Sequence, residues 1–131
     1  MVRILLVEDN PLMRSQLRAA LEKRTGWKVV GEAEDGRSAL RAWSETAPTL
    51  TVMDFMMPGM SGLEAGRRLS RLHPESPILM VTIDPSSQLA REAKRAGISG
   101  LVQKADVGGL LEAVETLLNG GRYFHNDFAA A

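Results

Sequence analysis

Five short runs of mostly apolar, β-favouring residues alternate along the chain with five segments of helical spacing. The runs are Arg3–Val7, Val29–Ala33, Leu50–Asp54, Ile78–Ile83 and Gly100–Gln103. In Ile4-Leu5-Leu6-Val7, Leu50-Thr51-Val52-Met53 and Ile78-Leu79-Met80-Val81 the apolar character is nearly continuous, the pattern of strands covered on both faces. The intervening segments carry helix punctuation. Asn10-Pro11 is a cap followed by proline at the first helical position, ahead of the apolar stripe Leu12, Leu17 and Leu21. Asp35-Gly36 opens a second helix that carries Ala39, Leu40 and Trp43. Ser61-Gly62-Leu63-Glu64 has the capping-box pattern and opens a third. Asp84-Pro85 repeats the cap-then-proline device for a fourth helix, Ser86–Ala96, which Gly97 ends. A fifth begins near Asp106 and stops at Asn119-Gly120-Gly121, with Leu110, Leu111, Val114, Leu117 and Leu118 along it. No repeat or low-complexity tract intervenes, so residues 1–121 are expected to form one domain, and 122–131 a tail or the start of a linker.

Five strand-then-helix units with short connections imply a parallel α/β sheet with helices on both faces, because right-handed crossovers place them there. Five units are too few for an eight-stranded barrel. The first strand-to-helix turn, Glu8-Asp9-Asn10-Pro11, contains no glycine, so the dinucleotide-binding fingerprint is missing, and no G-K-S/T triplet marks a phosphate loop. The architecture left is the flavodoxin-like doubly wound (βα)5 fold, a five-stranded parallel sheet of order 2-1-3-4-5.

Composition narrows the function. A length of 131 residues suits one domain, and 16 Lys+Arg against 16 Asp+Glu give no basic excess for binding nucleic acid through phosphates. Without cysteine there are no disulfides, thiolate nucleophiles or thiolate zinc sites. His73 precedes Pro74 and His125 lies in the tail, an arrangement that does not suit a Ser-His-Asp relay. No signal-peptide core and no apolar run of the roughly 20 residues needed to span a membrane is present, so a cytoplasmic protein without membrane contact is expected.

In open sheets of this kind the site lies at the carboxyl ends of the strands where the order reverses, here between strands 1 and 3. Strand 1 ends at Glu8-Asp9, strand 3 at Asp54, strand 4 at Thr82 and strand 5 near Lys104. Each residue alone has an ordinary reading as a cap, a strand residue or a solvent charge. Five of them at the ends of four strands of one topology form a constellation. Three clustered carboxylates repel and should raise at least one pKa, and Lys104 balances only part of their charge. A hard divalent ion with oxygen ligands fits the remainder, most simply Mg²⁺.

The sequence here resembles the receiver domain of two-component response regulators over nearly its whole length. The resemblance rests on Ile4-Leu5-Leu6-Val7-Glu8-Asp9-Asn10, on Met53-Asp54-Phe55-Met56-Met57-Pro58-Gly59-Met60-Ser61-Gly62, on Val81-Thr82 and on Lys104. It implies that Asp54 accepts a phosphoryl group from a sensor histidine kinase. It also implies that Glu8, Asp9, Asp54 and the backbone carbonyl of Met56 hold Mg²⁺, that Thr82 bonds a phosphoryl oxygen and that Lys104 pairs with the phosphoaspartate. The stretches Gly97–Asp106 and Leu118–Phe124 are most similar to NarL/LuxR-type transcription regulators. That similarity implies DNA contact only through an output domain outside this chain, and pairing of copies through helices 1 and 5 or through helix 4, strand 5 and helix 5. A stand-alone receiver acting by protein contact is the alternative.

Three positions depart from the family pattern. Ile83 follows Thr82 where alanine or glycine is common, and a branched side chain there is expected to narrow access to Asp54. Leu101 stands where the usual switch aromatic would be, and Ala105 where proline often follows the lysine. The methionines around strands 3 and 4, among them Met53, Met56, Met57, Met60 and Met80, read as gap-filling packing. Two other classes fit less well. A flavin carrier would place its phosphate against Glu8 and Asp9. An aspartate-nucleophile phosphatase needs a second Asp two residues after the first, where Met56 stands.

Overall fold

The computed structural model describes residues 1–124; His125 and the rest of the tail beyond it lie outside the described residues. The strands are β1 (Val2–Val7), β2 (Trp27–Ala33), β3 (Leu50–Asp54), β4 (Ile78–Thr82), β5 (Gly100–Gln103) and a short β6 (Tyr123–Phe124). They pair in parallel in the order β2-β1-β3-β4-β5-β6. The central strands β3 and β4 are buried at every residue, as their largely apolar sequences lead one to expect.

Alternation along the strands divides the core in two. Leu5, Val7, Met53, Met80 and Leu101 face α2 (Gly36–Thr46), α3 (Gly62–Leu72) and α4 (Ser87–Arg95). Ile4, Leu6, Val52, Val81 and Val102 face α1 (Pro11–Glu22) and α5 (Val107–Leu118). The flavodoxin-like order 2-1-3-4-5 and the helices on both faces are thus as the sequence implies.

Local chemistry sets the helix starts. Side chains of Asn10, Asp35 and Asp106 accept hydrogen bonds from the backbone N–H of Met13, Ser38 and Gly109 at 2.9, 2.8 and 2.9 Å. Each such cap contributes about 1 kcal/mol. Two starts differ from the sequence reading. Asp84-Pro85 does not cap α4: Ser86 does, accepting from Leu89 N at 3.0 Å. Asp84 instead belongs to the turn after β4, where its N–H donates to Thr82 Oγ1 at 3.4 Å. At α3 the capping box closes on one side only. Ser61 Oγ accepts from Glu64 N at 3.2 Å, but the Glu64 carboxylate turns to Arg67 and Arg68. Two guanidinium partners outcompete a single backbone donor for that carboxylate.

The sheet is also larger than five strands. Tyr123 N donates to Ser99 O at 2.9 Å, and Gly100 and Leu101 stand opposite Tyr123 and Phe124. β6 falls in the stretch read as tail, where two residues are too few to show a period. Its position against β5 satisfies backbone groups on a sheet edge that would otherwise be open.

Candidate functional site

Strand register brings the five chemistry-bearing positions to one end of the sheet. Val7 stands opposite Met53, Asp54 opposite Val81 and Thr82 opposite Gln103. The ladder continues past the strand ends, where Phe55 N donates to Val81 O at 2.9 Å and Lys104 N to Thr82 O at 2.8 Å. Glu8, Asp9, Asp54, Thr82 and Lys104 are therefore positioned by backbone pairing.

Asp54 and Glu8 are buried carboxylates, and the Lys104 ammonium lies between them, 2.7 Å from Glu8 Oε1 and 3.0 Å from Asp54 Oδ2. The other oxygen of each acid receives a backbone donor. Asn10 N lies 3.1 Å from Glu8 Oε2, and Met56 N lies 3.2 Å from Asp54 Oδ1. Asp9 is exposed at the mouth, yet one carboxylate oxygen from each of Glu8, Asp9 and Asp54 falls within 4.8 Å of the others. Thr82 is buried beside them on β4.

Burial pushes the Glu8 carboxyl up from its ordinary value, and the Asp54 charge adds to the rise; the Lys104 ammonium and the Asn10 N–H oppose it without cancelling it. Burial by itself would lower Lys104, but its hydrogen bonds and charge contacts with Glu8 and Asp54 outweigh it, so the ammonium is held above its usual range. The expected raised carboxyl is thus Glu8, and desolvation is the leading cause.

Three carboxylates share one ammonium here, and every donor is oxygen. Apart from the Lys104 contact, Glu8 Oε1 is buried without a hydrogen-bond partner. A buried acceptor facing two other carboxylates suits a hard divalent cation, which would supply the positive charge the cluster lacks.

The loop after β3 explains its glycine-rich sequence. Gly62 N donates to Phe55 O at 2.9 Å, and a Cβ at Gly62 would lie 2.0 Å from the Asp54 carbonyl oxygen. Any side chain there would force α3 away and open the turn that carries Asp54. Four exposed apolar residues lie in the segments that follow the strands at this end of the sheet: Leu12 at the start of α1, Met56 after β3, Ile83 after β4 and Val107 at the start of α5. Ile83 is 74% exposed, next to a Thr82 that is only 3% exposed. Leu101 is fully buried on the α4 side of β5. His73 is remote from the acids and stacks on Trp43, with ring centroids 3.4 Å apart.

Sequence reasoning set Lys104 against the charge of the whole cluster but did not anticipate that it contacts Glu8 and Asp54 at once. It also missed the backbone donors of Asn10 and Met56, and the apolar rim. The rim had a signal: Met56 and Ile83 are large apolar residues one or two positions past strand ends, and Leu12 and Val107 stand in the first turn of the following helices, where polar residues are usual.

A family model described as the response regulator receiver domain matches residues 4–115. Response regulator UvrY of Escherichia coli (strain K12) is 35% identical over 130 residues, covering 98% of this chain and 60% of the relative. Response regulator GacA of Pseudomonas protegens is 34% identical, covering 98% of this chain and 61% of that protein. The chain therefore spans about three fifths of the length of these relatives. Among solved structures, a LuxR-family two-component response regulator from Aurantimonas sp. SI85-9A1 superposes with a TM-score of 0.94 at 39% identity, covering 98% of this chain and 93% of that one. The isolated REC domain of RcsB from Salmonella enterica serovar Typhimurium, at 21% identity and a TM-score of 0.88 over 98% and 96% of the two chains, shares the fold.

Proposed function

The chain belongs to the response regulator receiver domain family, on its NarL/LuxR-type branch, and from that premise we propose that Asp54 is the phosphoacceptor for a sensor histidine kinase. The observation that carries this reading is the buried Asp54 carboxylate held between the Lys104 ammonium and the Met56 N–H in a cluster of acids. An ionised carboxylate needs no general base, which agrees with a site that contains no histidine among the described residues. In the transfer, an Asp54 oxygen forms a bond to phosphorus while the bond to the donor imidazole nitrogen breaks, and the electron pair stays with that nitrogen. Lys104 pairs with the oxygens of the new acyl phosphate and Thr82 hydrogen-bonds one of them.

Glu8, Asp9, Asp54 and the backbone carbonyl of Met56 are the residues that would hold Mg²⁺. When bound, the ion neutralises charge on the transferring group, the main demand of phosphoryl transfer. Gain and loss of the phosphoryl group proceed at this chain's own residues, and the acyl phosphate is labile enough for the signal to decay. Ile83, the residue after Thr82, would narrow access to Asp54 and slow the approach of water.

The rim of Leu12, Met56, Ile83 and Val107 supports docking of a kinase at this end of the sheet, since exposed apolar residues near a polar centre mark interaction surfaces. Output is transcription regulation in the cytoplasm through a DNA-binding domain outside this chain. Copies pair through α1 and α5, or through α4, β5 and α5, when Asp54 is phosphorylated.

Intact mass after treatment with acetyl phosphate and Mg²⁺ tests the central reading. One phosphoryl group should be gained by the wild-type chain and none by Asp54→Asn. Asp9→Ala should lower metal binding and labelling together. Label retained by Asp54→Asn, or labelling unchanged by excess EDTA, would overturn the assignment.

A further inference from the structure

A second charged feature lies away from the acids. α3 carries Arg67, Arg68 and Arg71 against Glu64, and α4 carries Arg91, Lys94 and Arg95 against Glu92. Six cations against two carboxylates leave these adjoining helices strongly positive in a chain whose formal net charge is zero. Between them runs a groove of about 400 Å³, lined by Leu63 and Ala96 and by Arg67, Arg71, Glu92 and Arg95.

The groove is built into the packing. A Cβ at Gly66 on α3 would lie 2.7 Å from Ile98 Cδ1, so the glycine leaves room for the Ile98 side chain to pack against α3. Ser70 Oγ donates to Gly97 O at 3.2 Å and ties the two walls together at one end. At its other end the groove reaches Ser61, the N-cap of α3. Glu64 engages Arg67 and Arg68, and Lys94 lies over the Phe124 ring, 4.8 Å from its centroid. Arg71 and Arg95, both exposed, have no ion pair among the described residues.

We propose that the α3–α4 groove binds an acidic peptide segment of a partner protein, with carboxylates on Arg71 and Arg95 and an apolar side chain between Leu63 and Ala96. Guanidinium groups match carboxylates in bidentate geometry, and two unspent ones beside an apolar floor suit a ligand that is acidic and partly apolar. Glu64 and Glu92 on the same walls argue against a nucleic-acid backbone, whose unbroken row of phosphates would run across both carboxylates. The inference goes beyond the phosphoacceptor reading and stands without it, because it needs neither metal nor phosphoryl donor.

The test is fluorescence anisotropy with a short fluorescein-labelled peptide rich in Glu and Asp with a central Leu, titrated with the full chain without Mg²⁺. Saturable binding is expected, weakened at least ~10-fold in Arg71→Glu/Arg95→Glu, a loss of about 1.4 kcal/mol or more. Leu63→Ala should weaken it several-fold. The charge-matched control Arg37→Glu/Arg41→Glu, on α2, should bind as the wild type does. Backbone amide shifts in the wild-type chain should move along α3 and α4, a readout independent of whether the charge-reversed variant folds. Absence of saturable binding, an equal loss in the α2 control, or tighter binding of a labelled DNA duplex through Arg71 and Arg95 would each overturn the proposal.

Discussion

α4 and α5 flank the same strand, β5, from opposite faces, yet they are held in different ways. α5 buries Leu110, Val114 and Leu117 together with Ala113, whereas α4 buries Leu89 and two alanines, Ala90 and Ala93. Full burial of a leucine or valine is worth about 1.5–3 kcal/mol, so three such anchors fix α5 and one holds α4. The same contrast holds at the site. On the α5 side, Lys104 is clamped by two buried carboxylates. On the α4 side, Thr82 Oγ1 has a single long contact from Asp84 N at 3.4 Å. The lesson is that one side of β5 is a fixed reference and the other is free to shift, the asymmetry a switch requires.

The largest expected effect tests the fixed side. Leu117→Ala should lower the free energy of unfolding by about 2–5 kcal/mol in denaturant titrations, because it leaves a cavity between α5 and the sheet. A loss well under that range would mean that α5 is no better anchored than α4.

Capping sharpens the comparison with one chemistry on two helices. Ser86→Ala and Asp106→Ala each remove an N-cap worth about 1 kcal/mol. By hydrogen exchange, the loss at Ser86 should fall on α4 amides alone, since that helix opens locally. The loss at Asp106 should lower the global opening free energy that protects α5. Identical patterns for the two variants would break the distinction.

The smallest effect is confined to alkaline pH. Lys104 is raised in the folded state, so its stabilising contribution is complete below the ordinary lysine value of 10.5 and is lost as pH rises through its folded pKa. The difference in unfolding free energy between the wild type and Lys104→Met should accordingly be constant from neutral pH to about 10.5 and shrink above it. A difference that shrinks already near neutrality would show that the ammonium is not held by Glu8 and Asp54.

Much of this was legible in the sequence, and particular residues show why. The nearly continuous apolar runs at Leu50–Met53 and Ile78–Val81, alternating with helical segments, read as strands covered on both sides and so point to a parallel sheet between two helical layers. Asn10-Pro11 marks the start of α1 because the cap and its proline are adjacent in the chain. At α4 the same reasoning misplaced the cap by two residues, Asp84 for Ser86. Asp84-Pro85 carries the cap-then-proline pattern, but Asp84 stays in the turn after β4 and Ser86 accepts from Leu89 N instead. Likewise Ser61 and Glu64 form a capping-box pattern, but the competing arginines on the next turn of α3 took the carboxylate.

Sequence by itself determined the five strand-then-helix units and the arrival of Glu8, Asp9, Asp54, Thr82 and Lys104 at strand ends, because periodicity is a property of the chain's own spacing; the strand order followed by setting aside the other folds with such units. Tertiary structure alone decided that Lys104 bridges Glu8 and Asp54, that burial raises Glu8, that Tyr123 and Phe124 close the edge of β5, and that Arg71 and Arg95 share a groove. Each of these depends on distances between side chains from elements far apart in sequence, and on how much water the packing leaves beside them.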